Sequence, residues 1–271
     1  MNKSVTIERH DHVLEITLNR PPVNAINLQT SCDLYEAFTL LQQDPELRVG
    51  IITAAGERLF SAGWDLKEFA ANGDEMVEGG EYDLGPGGVG GMTEFWGLTK
   101  PVIAAVNGRA IGGAFEMLVA ADLIIAAEHV EFSLPEVTLG FLPDGGGIQR
   151  LGKRLPYNIA SELILTGRAF SANEAKHYGL VNEVVPAKQL MERAHELARQ
   201  IAEGAPLSLQ AAKETMGALQ TLDDEESFRL TRQAWKGGSG LPMLEKMLNS
   251  EDFLEGSRAF AEKRPPVYKG Q

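Results

Sequence analysis

The stretch GRAIGGAFEMLVAADLIIAA, residues 108–127, decides the fold of this chain. Two adjacent glycines, Gly112 and Gly113, precede a single glutamate, Glu116, and an almost unbroken apolar run follows. The run predicts a buried helix that turns back into a buried strand. An ionised carboxylate is costly to bury unless it is paired, and otherwise its pKa shifts until it is neutral. The position of Glu116 therefore needs a chemical explanation.

The overall composition is that of a globular protein. Apolar residues make up 44% and charged residues 23% of the 271 positions, which suffice for one large domain or for a core with a smaller appendage. The net charge of -13 argues against nucleic acid bound through a general basic surface. No apolar run approaches the roughly 20 residues of a membrane span, and no signal-peptide core is present. The single cysteine, Cys32, fits a reducing cytosol, so a cytoplasmic protein is expected.

Strand and helix patterns alternate in the first part of the chain. An alternating strand pair at 4–21, a helical pattern at 28–41 and short apolar runs at 49–56, 101–108 and 122–136 predict the α/β class. Beyond residue 155 helical periodicity dominates, with one strand at 180–186. The helical patterns cover residues 158–166, 172–178, 187–203, 207–219, 223–235 and 241–263. We therefore expect an α/β core in residues 1–186 and a helical C-terminal region in residues 187–271.

Residues 70–92 are rich in glycine and acidic residues and lack periodicity. The stretch predicts a mobile surface loop of the kind that often forms a lid. Gly85, Gly87 and Gly90 match the G-x-G-x-x-G dinucleotide-binding spacing. That motif needs a strand before it and a helix starting within it, whereas here acidic residues precede it and Pro86 interrupts it. The spacing favours a flexible loop over a dinucleotide site.

Metal and nucleophile chemistry have little support in the sequence. His10 and His12 fall on one face of a predicted strand, but no third ligand lies near them in the sequence, so a zinc site is not expected. No G-x-S-x-G motif is present, and Cys32 lies in an amphipathic helical pattern. Carboxylates remain the candidates for catalysis.

A second glutamate, Glu136, follows Pro135 in another apolar setting, FSLPEVTLG. Two carboxylates with displaced pKa values suit general acid–base chemistry. The structural alternative is that each glutamate caps a helix or forms a salt bridge. Backbone N–H groups at the start of the Glu116 helix, and in the turn at Ala62 and Gly63, offer two donors that converge on one carbonyl oxygen.

Several motifs together resemble the crotonase (enoyl-CoA hydratase/isomerase) superfamily. They are FSAGWDLKEF, KPVIAAVNGRAIGGAFE, FSLPEVTLGFLPDGGGIQRL, LILTGRAFSANEAKHYGLVNEVV and FAEKRPPVYKG, and they cover nearly the whole chain in order. The resemblance implies a spiral of ββα repeats and a helical C-terminal trimerisation region. It also implies a homo-oligomer, a trimer or a hexamer built as a dimer of trimers. The implied substrate is an acyl-CoA thioester, with coenzyme A as part of the substrate and no metal or redox cofactor.

The resemblance also assigns site residues by position. The oxyanion donors are the backbone N–H groups of Trp64 and Gly113, and the acid/base pair is Glu116 and Glu136, with Glu136 exchanging a proton with the α-carbon. The positions that line the substrate and coenzyme A site are Ala25, Ala62, Asp65, Leu66, Lys67, Asp144, Phe260 and Lys263, the last serving a neighbouring subunit.

Three stretches, SAGWDLK, LGPGGVGGMTE and EKRPPVYKG, resemble a branch of the family whose substrate carries a trimethylammonium group. An aromatic wall suits such a cation, and Trp64, Phe95 and Trp96 are the candidates. Asp144 binds the cation, tunes the glutamate pair or caps the helix that follows.

The alternatives are a general short-chain enoyl-CoA hydratase, an isomerase that works with one carboxylate, and a non-catalytic or RNA-binding scaffold. The presence of both glutamates favours a hydratase, and the acidic charge argues against an RNA-binding scaffold.

Overall fold

The computed structural model describes residues 4–76 and 83–271, which form two sheets surrounded by helices. The strands are β1 (Val5–His10), β2 (Val13–Leu18), β3 (Val49–Ala54), β4 (Leu59–Ser61), β5 (Val102–Val106), β6 (Arg109–Ile111), β7 (Leu123–Ala127), β8 (Glu131–Ser133), β9 (Phe170–Ser171) and β10 (Glu183–Val185). The helices are α1 (Leu28–Gln43), α2 (Leu66–Met76), α3 (Gly113–Ala120), α4 (Gly147–Arg154), α5 (Tyr157–Thr166), α6 (Ala172–His177), α7 (Leu190–Ala202), α8 (Pro206–Leu219), α9 (Asp224–Ala234), α10 (Pro242–Leu248) and α11 (Asp252–Glu262).

The larger sheet has the strand order β1-β2-β3-β5-β7-β10, and the smaller sheet has the order β4-β6-β8-β9. Neighbouring strands are parallel except in the β1–β2 hairpin and the β8–β9 pair. Every residue of β3 and β5 is buried. A parallel strand covered on both faces requires such a continuous apolar run, which explains the sequences VGIITA and VIAAV.

The chain repeats one unit three times between β3 and α4. In each unit the first strand joins the larger sheet, the second joins the smaller sheet, and a helical segment follows. The successive second strands, β4, β6 and β8, are therefore parallel neighbours whose carboxyl ends meet at one edge. This architecture confirms the predicted α/β class and the crotonase-like spiral of ββα repeats.

The prediction of a mobile surface loop at residues 70–92 was wrong for residues 70–76, which are helical, and for residues 87–92, which are buried. Helix α2 extends to Met76, and residues 77–82 lie outside the described residues. Further on, Val89 is buried, and the backbones of Gly90 and Gly91 lie against Met117 and Tyr35 so closely that a Cβ would clash. Glycines used for close backbone packing leave no hydrophobic periodicity, so in sequence they resemble a loop.

The predicted helices of the C-terminal half are present, with two refinements. The pattern at 241–263 is split into α10 and α11, and the pattern at 187–203 begins with a single 3₁₀ turn before α7. Helix α7 packs on the larger sheet against β2, β3, β5 and β7, and α8 packs on α10. A domain boundary near residue 187 and an oligomerisation role for residues 187–271 stay predictions. Within the described ranges, the helices are too short or too polar for any of them to traverse a lipid bilayer.

Candidate active site

The candidate site lies where the smaller sheet ends. The parallel register pairs Ser61 with Ala110 and Ile111 with Ser133, so β4, β6 and β8 end side by side. The segments that leave these ends carry the turn at residues 62–64, the start of α3, and a 3₁₀ turn at Glu136–Leu139. Residues far apart in sequence therefore meet at this edge, where open α/β sheets commonly bind ligands.

The first two of these segments are in contact through their backbones. Gly63 adopts a φ of 83°, and a Cβ there would collide with the carbonyl oxygen of Ile111 and lie 3.2 Å from the nitrogen of Gly113. A Cβ on Gly113 would lie 3.6 Å from the nitrogen of Trp64. The nitrogens of Trp64 and Gly113 are thus brought together because both turns use glycine. Gly113 is also the first residue of α3, at the positive end of the helix dipole.

A cavity of about 350 Å³ opens beside these nitrogens. Its lining includes Glu116, Glu136 and Asp144, which come from three different segments of the chain. The other lining residues are Ala62, Trp64, Leu66, Phe69, Leu84, Val89, Ile111, Gly112, Gly113, Pro135, Leu139, Phe141, Leu142 and Gly145. Three carboxylates thus share a largely apolar cavity.

Glu116 is 4% exposed, and a backbone N–H group holds its carboxylate. The N–H of Gly147 donates to its Oε1 at 2.9 Å. Burial raises the pKa of Glu116 to about 8, and the negative charges of Glu136 and Asp144 add to the rise, while the hydrogen bond from Gly147 opposes it. Near neutral pH Glu116 therefore holds a proton. This hydrogen bond from Gly147 was not predicted from the sequence. Its only signal there is the run of three glycines at residues 145–147, before a helical pattern.

Glu136 is half-buried, and its Oε2 is buried with no hydrogen-bond partner among the described residues. Burial raises the pKa of Glu136, its own backbone N–H lowers it, and the charge of Asp144 raises it further. A buried oxygen without a partner on the cavity wall is placed to exchange a proton with a bound molecule.

Asp144 is exposed on the cavity wall. The helix that follows, α4, begins after Gly146 and has no side-chain cap, so the capping role considered for Asp144 was wrong. Its charge instead raises the pKa of both Glu116 and Glu136.

The predicted coenzyme A positions are only partly brought together. Ala62 and Leu66 line the cavity, whereas Ala25 and Lys67 do not. The carboxylate of Asp65 forms an ion pair with Arg20 at 2.7 Å, and its Oδ1 accepts the backbone N–H of Glu68 at 3.2 Å. Asp65 therefore holds the start of α2 in place.

Phe260 and Lys263 lie at the end of α11, outside the lining of the cavity. The Phe260 side chain is 86% exposed. Within one chain these two residues do not reach the candidate site.

Of the three predicted aromatic residues, Trp64 lines the cavity and the other two do not. Phe95 and Trp96 lie on an adjoining groove that shares Asp144 and Gly145 with the cavity, because the chain after Met92 turns toward α4 and α8. Phe95 packs on Tyr35 with ring centroids 4.7 Å apart, and Trp96 lies 5.8 Å from the Arg150 guanidinium.

The cavity has two other aromatic residues that the sequence analysis missed. Phe69 and Phe141 meet edge to face with their centroids 5.6 Å apart. They are 72 positions apart in the chain, and no sequence pattern links them.

The chain belongs to the enoyl-CoA hydratase/isomerase family, whose model matches residues 8–271. It is 50% identical to the carnitinyl-CoA dehydratases of Salmonella typhi and Salmonella typhimurium, over 100% of this chain and of each relative. A probable enoyl-CoA hydratase/isomerase from Mycobacterium abscessus is 39% identical with a TM-score of 0.86 over 100% of both chains. An enoyl-CoA hydratase from Bacillus anthracis is 37% identical with a TM-score of 0.86, over 99% of this chain and 100% of its own. The predicted family and the predicted likeness to carnitinyl-CoA dehydratase are confirmed, and the protein is a hydro-lyase.

Proposed function

We propose that this hydro-lyase interconverts a 2-enoyl-CoA plus water with a 3-hydroxyacyl-CoA, and that its substrate pair is crotonobetainyl-CoA and carnitinyl-CoA. One observation carries the proposal. Glu116 and Glu136 face the same cavity, next to the adjoining nitrogens of Trp64 and Gly113. Two carboxylates and two backbone donors are the groups that addition of water across an enoyl thioester requires.

In the proposed reaction the thioester oxygen lies against the N–H groups of Trp64 and Gly113. Negative charge develops on this oxygen as the enolate forms, and the positive end of α3 stabilises it further. Loss of one such donor typically costs about 3–4 kcal/mol of transition-state stabilisation. Because the two donors are backbone groups fixed by glycine turns, they need no reorganisation during the reaction.

In the dehydration direction, ionised Glu136 removes the α-proton and the electron pair forms the enolate. The enolate then expels the β-hydroxyl group, which takes the proton of Glu116 and leaves as water. Hydration follows the same steps in reverse, with Glu116 accepting a proton from water and Glu136 delivering one to the α-carbon. The pKa of about 8 at Glu116 supports its role as the acid in dehydration.

The cationic acyl group would occupy the wall formed by Trp64, Phe69, Phe141 and Asp144. Aromatic faces and a carboxylate attract a quaternary ammonium group, which has no hydrogen-bond donors to satisfy. The 50% identity to carnitinyl-CoA dehydratases supports this choice over a simple enoyl group.

Coenzyme A would bind along Ala25, Ala62 and residues 65–67, with Phe260 and Lys263 supplied by a neighbouring subunit of a trimer or a hexamer. The exposed aromatic side chains of α9, α11 and their flanks support such an assembly, since large apolar patches mark interaction sites. These side chains are Phe228, Trp235, Phe253 and Phe260. We place the enzyme in the cytoplasm, where its CoA thioester substrate would be available.

The test compares hydration of crotonobetainyl-CoA and crotonyl-CoA by the purified enzyme, followed through the loss of enoyl-thioester absorbance. A strong preference for the cationic substrate is expected. Equal rates would indicate a general short-chain hydratase, and a shifted double bond without hydration would indicate an isomerase. Glu116→Gln and Glu136→Gln should each lower kcat by about 100- to 10,000-fold. The control is Glu192→Gln, which changes an exposed residue of helix α7.

A further inference from the structure

Away from the cavity, three side chains that can bind metals converge on the larger sheet. His10 ends β1, Glu15 lies on β2, and His195 lies on α7, which packs across this sheet. One ligand atom from each lies within 4.8 Å of the others. None of the three lines the catalytic cavity, so the cluster is separate from the candidate active site.

The register of the hairpin explains why two of these side chains meet. Glu15 pairs with Glu8 across β1 and β2, and His10 lies two residues beyond Glu8, hence on the same face of the sheet. Helix α7 covers this face and brings His195 down onto it from 180 positions away in the chain. No third ligand lies near His10 and His12 in the sequence, because the third ligand of the cluster is the distant His195, and His12 is not part of the cluster.

The distances from Glu15 to the two histidines are close to those between the ligands of a metal site. Glu15 Oε2 lies 2.9 Å from His195 Nε2 and 3.7 Å from His10 Nε2. Ligand atoms about 2.0–2.1 Å from a tetrahedral Zn²⁺ are about 3.3 Å from one another, which falls between these two distances. The two imidazole rings meet edge to face with centroids 4.7 Å apart, so both Nε2 atoms point toward one carboxylate oxygen.

The surroundings also suit a cation. The Thr17 hydroxyl donates to Glu15 Oε1 at 3.5 Å and so orients the carboxylate, as outer partners of metal ligands do. Glu8 Oε2 lies 3.7 Å from His10 Nε2 and adds negative charge. The side chains of Glu15 and His195 are 17% and 19% exposed, whereas His10 is 45% exposed, so an ion has a path from solvent.

We propose that His10, Glu15 and His195 form a binding site for a divalent transition-metal ion of the Zn²⁺ type. The ion takes one nitrogen from each imidazole and one oxygen from Glu15, with water in the remaining position. It replaces the proton of the hydrogen bond between His195 and Glu15 and fastens the β1–β2 hairpin to α7. The role is structural, and the site stands independently of the hydratase function.

The test is a calorimetric titration of the full-length, EDTA-treated protein with Zn²⁺ in a non-chelating buffer. We expect one Zn²⁺ ion to bind tightly to each chain. His10→Ala and His195→Ala should each weaken it by at least about 100-fold, more than the 10- to 100-fold typical of an outer-shell partner. His177→Ala, which removes an exposed histidine on α6, should leave the affinity unchanged.

Absence of tight Zn²⁺ binding by the wild-type protein would overturn the proposal. So would equal affinity in the wild-type protein and the His10→Ala variant. Should His195→Ala fail to fold, His10→Ala alone decides, because His10 is at the exposed end of an edge strand and contributes little to the core.

Discussion

The carboxylate of Glu136 lies directly against the backbone of Gly112. A Cβ on Gly112 would lie 2.5 Å from Glu136 Oε1, and Gly112 has a φ of 56°, which side chains rarely adopt. The contact joins the residue before α3 to the 3₁₀ turn that follows β8. Glu136 can reach the cavity because position 112 has no side chain.

Gly112→Ala should therefore damage catalysis more than stability. We expect kcat to fall by at least about 100-fold, as for other losses of an acid–base group, and the free energy of unfolding to fall by about 1–3 kcal/mol through backbone strain. Steady-state kinetics and urea unfolding measure the two effects. The matched control is Gly152→Ala in α4, where a Cβ meets nothing within 4 Å and should raise stability slightly. An unchanged kcat in Gly112→Ala would contradict this account of Glu136.

Glu116→Gln should stabilise the fold in a pH-dependent way. The pKa of Glu116 in the folded protein is about 8 against an ordinary 4.5, so between these values the folded state binds more protons and wild-type stability falls as pH rises. Glutamine has no proton to lose. Its advantage should be near zero at pH 4.5 and approach a limit of about 5 kcal/mol above pH 8, at 1.36 kcal/mol per pKa unit.

Urea unfolding at a series of pH values measures this difference. Glu192→Gln, at an exposed position of α7, should show no such trend. A stability difference for Glu116→Gln that stays constant with pH would show that Glu116 is ionised in the fold.

The rate of dehydration should follow a bell-shaped pH profile. Glu116 must be protonated, so kcat/KM should fall above about pH 8, and Glu136 must be ionised, so it should fall at acid pH. The charge of Asp144 raises the pKa of both glutamates. Asp144→Asn should therefore move both limbs to lower pH. If both limbs of the pH profile stay in place in this variant, the charge of Asp144 does not raise the pKa of Glu116 or Glu136.

Phe141→Ala should reduce the preference for a cationic substrate. A cation–π contact contributes about 0.5–2 kcal/mol, so the ratio of kcat/KM for crotonobetainyl-CoA over crotonyl-CoA should fall roughly 2- to 30-fold. Trp96→Ala is the control, because Trp96 is 80% exposed and does not line the cavity. A larger loss in Trp96→Ala than in Phe141→Ala would place the cation outside the cavity.

The candidate site was predictable from sequence where a residue type conflicts with its surroundings. Glu116 in an apolar run and Glu136 after Pro135 are chemically anomalous, and the glycine turns near Trp64 and Gly113 offer donors. Strands β3, β5 and β7 were predictable because buried parallel strands leave continuous apolar runs, whereas the short strands β4, β6 and β9 of the smaller sheet were not predicted.

Other contacts left no such signal. Gly147 is 31 positions from Glu116, and His195 is 180 positions from Glu15, so only the folded chain pairs them. The close packing of Gly90 on Met117 likewise looks like a loop in sequence. Tertiary contacts between distant segments are what local patterns fail to report.

In the proposed mechanism, the segments that follow the three parallel strands β4, β6 and β8 each supply a different part of the site at one edge of the smaller sheet. The segment after β4 carries the Trp64 donor and Phe69, the segment after β6 carries the Gly113 donor and Glu116, and the segment after β8 carries Glu136, Phe141 and Asp144. The Gly113 donor and Glu116 thus lie in the second repeat, whereas the proposed acyl-binding wall is formed by the first and third repeats. Substitutions in residues 137–144 can therefore change the acyl specificity while the two backbone donors and both glutamates stay the same. Related enzymes built on this fold can thus differ in substrate and keep one reaction.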